Sequence, residues 1–415
     1  MNIFRGLLKS VFVLLFLFVS ANILAEMYFL NDLINQGLKN STSMIRVQNS
    51  MMDRNETHLS NYLDFLPNAS YTANYIDPNS LTDYNSSFSI SKFISLNEPT
   101  YFNFRRSLLE KEITRLSYEN RKKEIARDIL FSYINIIQLE QSIFTTEVSL
   151  NQQKRMYDLL RIQFESGNRT VFDIQNLELD ILDTHIQLIE LNNSLTTQRE
   201  NLFFMIKMED KGYPFELFDF VISDTYDELE QTNINIEMAE LGIRVSKSSL
   251  TQQHLSLFPS LSAGYSWSTG IHNSSSGYYD WNNGVGVFSI NVSYSLFNHR
   301  SQIGYRIAKR SFNLEKIILD DEKEKYSIEV LQIINDLNRL KQTYELNQQR
   351  LELSKLNLQM AEERYILGVL SNIELIEIRN RHLNTEHQVI NQFYSIIRKQ
   401  EELNFAKSGK ILGIW

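Results

Sequence analysis

Cysteine is absent from the 415-residue chain. That excludes disulfides, thiolate metal sites, cysteine nucleophiles and lipid attachment through an N-terminal cysteine. Proline and glycine are scarce too: the chain has 5 and 14, where average usage would supply about 21 and about 29. Neither occurs between Pro99 and Gly167, nor between Gly304 and Gly368. This disfavours the glycine-rich phosphate loops of Rossmann and P-loop enzymes and the frequent turns of all-β sandwiches. Excess positive charge is missing: the net charge is −9, so no basic surface for nucleic acid is indicated. Catalytic signatures are missing as well. The seven histidines form no HExxH, His382 and His387 are five apart and so on different helix faces, and there is no GxSxG and no Walker A run. The expectation is no enzyme, no metal and no cofactor.

What is present begins at the N-terminus. Residues 1–25 read as a secretory signal, with Arg5 and Lys9 before the unbroken apolar run Val11–Val19. Cleavage fits after Ala25 or after Ala21. A single membrane anchor is the alternative, although a spanning helix needs about 20 apolar residues and this run is shorter. Either way the rest of the chain lies outside the cytoplasm. Beyond this run, no stretch is apolar for long enough to span a membrane as a helix.

The remainder repeats itself at an offset of 201. Phe164-Glu165-Ser166-Gly167, followed by Thr170 and Asp173, matches Tyr365-Ile366-Leu367-Gly368, followed by Ser371 and Glu374. Each glycine ends a helical pattern and each hydroxyl residue can cap the next helix, as in a tight helical hairpin. A heptad seam leads into each turn: Ile129, Ile136, Ile143, Leu150, Tyr157 and Phe164, then Val330, Leu337, Tyr344, Leu351, Leu358 and Tyr365. Sevenfold spacing argues for coiled-coil packing of long helices. Toward the tip the companion positions turn polar or small (Thr146, Gln153, Asn347, Ser354, Ala361), which narrows the seam. The predicted first repeat is 26–208, with a long helix over 99–166, a tip at 167–170 and a helix over 171–208. The second is 226–406, with helices over 299–367 and 372–406 around a tip at 368–371. An irregular connection (209–225) and a tail (407–415) complete the chain. A helix over 99–166 would be about 100 Å long. Further helical segments, Asn31–Leu66 and Tyr226–Phe258, precede the strands of each half.

Each half carries a strand pair, about 68–76 with 86–95 and about 260–269 with 286–297. Leu261, Ala263, Tyr265 and Trp267 alternate with serines and Gly264; Phe288, Ile290, Val292 and Tyr294 alternate with Ser289, Asn291 and Ser293. Ala69, Tyr71, Ala73 and Tyr75 follow the same rule, and only Lys92 interrupts the apolar side of its strand. Period-two alternation of an apolar face with a small uncharged face is the pattern of an outer-membrane barrel. A soluble hairpin packed on the helices is the alternative. Four strands cannot close a barrel, and an open edge is not tolerated in lipid, so at least two chains must contribute.

Signal, helix, strand pair, long helix, glycine turn and helix, with all but the signal repeated once, resembles the TolC family of outer-membrane channel proteins across essentially the whole mature chain. The most specific elements are Leu66-Pro67 and Phe258-Pro259 at the strand starts, and the tips Phe164-x-x-Gly167 and Tyr365-x-x-Gly368. Phe29-Leu30-Asn31-Asp32-Leu33 also resembles the family's mature N-terminus. The resemblance implies a mainly α fold with a small β part. Three chains would form a 12-stranded transmembrane β-barrel in outer-membrane lipid and a coiled-coil α-barrel tunnel crossing the periplasm. It implies an exit duct for efflux or type I secretion, partnered by a periplasmic adaptor and an inner-membrane transporter that supplies the energy. A pore-less periplasmic coiled-coil scaffold is the competing reading.

The resemblance also nominates residues. The family has aspartates at the positions of Asp173, Glu374 and Glu377; the last two ring the entrance, and the first bonds a tyrosine at the position of Tyr365. Repeated in a trimer, such acids would favour cations. Leu370 stands where a family member carries a gating arginine, and Arg169 is a possible substitute. Gly167, Asn168, Arg169, Gly368, Val369 and Leu370 are the expected adaptor-docking tips. Tyr71, Tyr75, Tyr265, Trp267 and Tyr294 are expected membrane-interface aromatics. For the acids the bland alternative is a solvated helix face. For Val369 and Leu370 it is capping of the hairpin's own core.

Overall fold

The computed structural model describes residues 27–75, 84–95, 99–167, 169–216, 222, 233–273, 284–294 and 298–408. The expected signal, Asn168, most of the connection beyond 216 and the end of the tail lie outside the described residues, as does the side chain of Tyr75. The elements are α1 (Leu30–Asn40), α2 (Thr42–Leu63), β1 (Asn68–Tyr75), β2 (Tyr84–Ser95), α3 (Pro99–Glu165), α4 (Val171–Ile206), α5 (Ile234–Leu255), β3 (Ser260–Asn273), β4 (Val285–Ser293), α6 (His299–Ile366) and α7 (Asn372–Ser408). Among the described residues no helix is long and apolar enough to cross a membrane.

The chain divides into two compact units that do not follow the sequence repeat. One holds Arg46–Asn120 and Thr232–Ser327; the other holds Met1–Ile45, Arg121–Gln231 and Ile328–Trp415.

In the first of these, all four strands form one antiparallel sheet in the order β1-β2-β3-β4. The register puts the apolar positions together. Tyr71 pairs with Phe88, Ile90 with Trp267, Ile94 with Ala263, Tyr265 with Phe288, and Ala263 with Ile290. Paired residues share a face, so one side carries nearly all the large apolar groups. Lys92 shares that face, but its Nζ reaches the Asp64 carbonyl at the end of α2 (2.5 Å), taking the charge off the apolar surface. Phe93, on the opposite face, lies over Gly264, its cross-strand partner, where a Cβ would collide with the ring. The helices of this unit are joined by polar contacts such as Arg54 with Glu110 (2.7 Å) and Arg106 with Gln252 (2.5 Å).

In the second unit the expected continuous helix over 31–66 is broken at Ser41, whose backbone is extended (ψ 128°) while its N–H bonds the Gly37 carbonyl. The break frees α1 to follow its own apolar stripe: Leu30, Leu33, Ile34 and Gly37 are buried at helical spacing. Gly37 is where the side chains of Ile129 and Ile206 close in on α1. Ahead of α1, Tyr28 forms a parallel bridge with Phe215 and donates its hydroxyl to Asp210 (3.1 Å). Arg199 holds the same carboxylate with two hydrogen bonds. The stretch after α4 is therefore anchored, although it has no regular structure. Ile129, Ile136, Leu150, Val330, Leu337, Leu358 and Tyr365 of the two heptad seams are buried; Phe164 is exposed.

Candidate functional site

Two regions follow from these elements: an uncovered sheet face and a pair of hairpin tips.

On the sheet, Ile94, Phe288, Ile290 and Val292 are exposed, Val292 by 72%. Tyr71, Tyr265 and Tyr294 are exposed beside them, while Trp267 is half-buried and meets Phe88 edge-on. Uncovered apolar surface on this scale marks contact with lipid or protein. Strands β1 and β4 each have one unpaired edge in this sheet.

At the tips, each hairpin turns on a glycine in the left-handed region, with φ 78° at Gly167 and 76° at Gly368, which a side chain would strain. The second turn closes with Gly368 N–H to the Tyr365 carbonyl and Val369 N–H to the Arg364 carbonyl, the Schellman pattern. The next helix then starts on a capping box in both hairpins. Thr170 donates its hydroxyl and its N–H to the Asp173 carboxylate (2.8 and 3.1 Å) and accepts from the Asp173 N–H (3.3 Å). Ser371 and Glu374 repeat this at 2.8, 3.1 and 3.3 Å. The Ser371 hydroxyl and N–H hold the Glu374 carboxyl below the usual carboxylate range. Glu377, one turn on, is exposed and has no such partner among the described residues.

The two hairpins meet through Arg169 and Tyr365. The Arg169 guanidinium stands 4.2 Å from the Tyr365 ring centroid and its Nη2 donates to the Tyr365 carbonyl (2.7 Å). Asn372 Nδ2 donates to the Asp173 carbonyl (2.6 Å). Beneath lies an apolar cluster of Met156, Leu160, Leu177, Leu358, Ala361, Tyr365 and Leu375, with half-buried Leu370 packed against it. The Asp173–tyrosine bond implied by the family resemblance is not made. Asp173 is occupied by its own helix cap, and the buried Tyr365 hydroxyl has no hydrogen-bond partner among the described residues. Burial pushes that phenol's pKa up.

A buried polar layer joins the hairpins further in. Gln153 donates to Asp180 and Thr184 (both 2.9 Å), and Asn380 donates to Asp180 (3.0 Å). Arg379, 2% exposed, lies 4.0 Å from Asp180 and 3.7 Å from Glu362. Burial raises the Asp180 pKa and lowers that of Arg379. Asp180 and Arg379 are absent from the sequence reading. Their signal was a charge inside an apolar stripe: Leu177, Asp180 and Thr184 on α4, and Leu375, Arg379 and Leu383 on α7.

Residues 225–407 match the outer membrane efflux protein family. The fold is similar to that of CusC (TM-score 0.83, 15% identity, 92% of each chain covered). It is similar to VceC of Vibrio cholerae (0.79, 12%, 91% of this chain and 95% of that one) and to the open state of MtrE of Neisseria gonorrhoeae (0.76, 16%, 91% and 88%). Among curated proteins, none matches the sequence. The second half of the chain thus matches the outer membrane efflux protein family, and the described chain has the TolC-like fold of outer-membrane channels.

That match and that fold are those of non-enzymatic outer-membrane efflux channels with a periplasmic helical extension. The pore-less scaffold reading gives way to this assignment. Of the expected site residues, Asp173 and Tyr365 lie at the junction of the hairpins, Glu374 caps α7 at the second tip, and Glu377 lies on the exposed face one turn away. Val369 is 76% exposed, whereas Leu370 is turned onto the hairpin core.

Proposed function

We propose that three copies of this chain form the exit duct of a tripartite efflux or type I secretion assembly, gated at the hairpin tips and docked by a periplasmic adaptor and an inner-membrane transporter. The observation that carries this is the sheet. Its apolar face is uncovered and its two outer strands each leave one edge unpaired in this sheet. Lipid does not tolerate unpaired backbone groups, and bacterial barrels need at least eight strands. Three four-stranded sheets closed edge to edge supply twelve. TolC-family channels are trimers that work with an adaptor and a transporter, which supports the same stoichiometry here.

In this assembly Tyr71, Tyr75, Tyr265, Trp267 and Tyr294 anchor the barrel at the membrane interfaces. Asp173, Glu374 and Glu377 become threefold acidic rings at the tips, where closely packed carboxylates attract cations. The Arg169–Tyr365 contact holds each protomer's hairpins together, a role consistent with Leu370 standing at the position of a family member's gating arginine. Gly167, Asn168, Arg169, Gly368, Val369 and Leu370 present the adaptor-docking surface, with exposed Val369 its apolar element.

The test is membrane assembly. Ile290→Arg or Val292→Arg places a charge on the proposed lipid face, at a cost of about 2–4 kcal/mol near the bilayer midplane. The wild type should float with outer-membrane vesicles while either variant fails to insert. Wild-type-like flotation of both variants would overturn the barrel assignment.

A further inference from the structure

Among the described residues, seven of the nine buried side-chain polar atoms left without hydrogen bonds gather at one place; the other two, Asn55 Oδ1 and Ser248 Oγ, belong to the other unit. Gln153 Oε1, Asn176 Nδ2, Tyr365 Oη, Asn372 Oδ1 and all three Arg379 guanidinium nitrogens lack partners. Gln153 and Asn176 belong to the first hairpin; Tyr365, Asn372 and Arg379 belong to the second. Unused donors and acceptors thus stand on both sides of the same seam, within about four helical turns of the tip glycines. Gln153 is 0% exposed and Tyr365 and Arg379 are 2% exposed, so no neighbouring molecule reaches these atoms while the hairpins stay together.

Arg379 is the extreme case. A guanidinium keeps its charge in proteins, and this one is buried. Its nearest carboxylates, Glu362 at 3.7 Å and Asp180 at 4.0 Å, are beyond hydrogen-bond length. Attraction across such gaps does not offset the loss of water around a buried ion. Asp180 meanwhile spends its hydrogen bonds on Gln153 and Asn380.

We infer that Arg379 is a positioning residue that opposes the Arg169–Tyr365 clasp, biasing the two hairpins toward a second arrangement in which its guanidinium is better paired or solvated. Packed interfaces of this kind switch between discrete arrangements rather than deform smoothly. The inference rests on the reading of the tips as the gate. It deepens that reading by separating the contact that holds the hairpins from the group that drives them apart.

The experiment measures open probability of the full-length channel in planar bilayers, together with its thermal midpoint in detergent. Arg379→Met removes the buried charge at similar volume. It should lower open probability about tenfold without lowering the midpoint, because replacing a buried ion by an apolar group is often neutral or stabilising. Arg379→Lys keeps the charge and should open like the wild type. Arg169→Ala should do the opposite of Arg379→Met and raise opening. An Arg379→Met channel that opens as often as the wild type or more, or that loses stability or fails to assemble, would overturn the inference, as would an Arg379→Lys channel that behaves like the Met variant. An unchanged Arg169→Ala channel would sink the clasp, and the Arg379 inference would still be decided by the sign of its own two variants.

Discussion

Arg169 grips the Tyr365 backbone and ring face while leaving the phenol hydroxyl unbonded. The consequence for mutagenesis is unusual for a buried tyrosine. Tyr365→Phe removes a hydroxyl that has no partner, so it should leave thermal stability unchanged or raise it. Tyr365→Ala removes the ring and should cost about 3–5 kcal/mol. Denaturation of the purified protein separates the two. A clear loss of stability in Tyr365→Phe would mean that the hydroxyl is bonded after all.

The acidic residues of the second tip are not equivalent. Glu374 is drawn into its helix cap by Ser371, while Glu377 is exposed and unengaged. Divalent-cation block of single-channel current should therefore weaken more in Glu377→Gln than in Glu374→Gln, and most in the double variant. Block that persists unchanged in the double variant would remove both residues from the cation site.

His387 makes stability sensitive to acid. Its Nε2 faces Thr146 Oγ1 at 3.2 Å, and burial lowers its pKa. Below about pH 6.5 the unfolded chain takes up this proton while the folded chain resists it. Stability at this site thus falls as pH drops from the unfolded pKa toward the lower folded one. The thermal midpoint should decline between about pH 7.5 and about pH 5.5, and His387→Gln should reduce that decline. An identical decline in the variant would assign the acid sensitivity elsewhere.

At Gly37, Ile129 and Ile206 occupy the space that a side chain would need. Gly37→Leu should overpack this contact and cost about 1–3 kcal/mol, visible as a lower denaturation midpoint. Unchanged stability would show that α1 can move away from the long helices at no cost.

Much of this fold was legible because long-period signals are hard to produce by chance. The heptad seams ending at Phe164 and Tyr365, the glycine turns and the alternation through Tyr265, Trp267, Ile290 and Val292 each extend over many residues. The break at Ser41 was not legible, because Gly37 and Ser41 fit a helix locally and the interruption answers to packing against Ile129. The buried layer escaped for a related reason. Gln153 was read as a narrowing of the seam, and Asp180 and Arg379 were not singled out; their burial depends on two hairpins meeting. The capping boxes were half visible. The hydroxyl caps were marked, but Asp173 and Glu374 were assigned to a gate and not to the caps they complete.

The claim that the open-edged sheet is completed by other copies of the same chain is tested most directly by native mass spectrometry of the full-length protein extracted from outer membranes in mild detergent. A complex of three chains is the predicted result; a monomer would contradict the account.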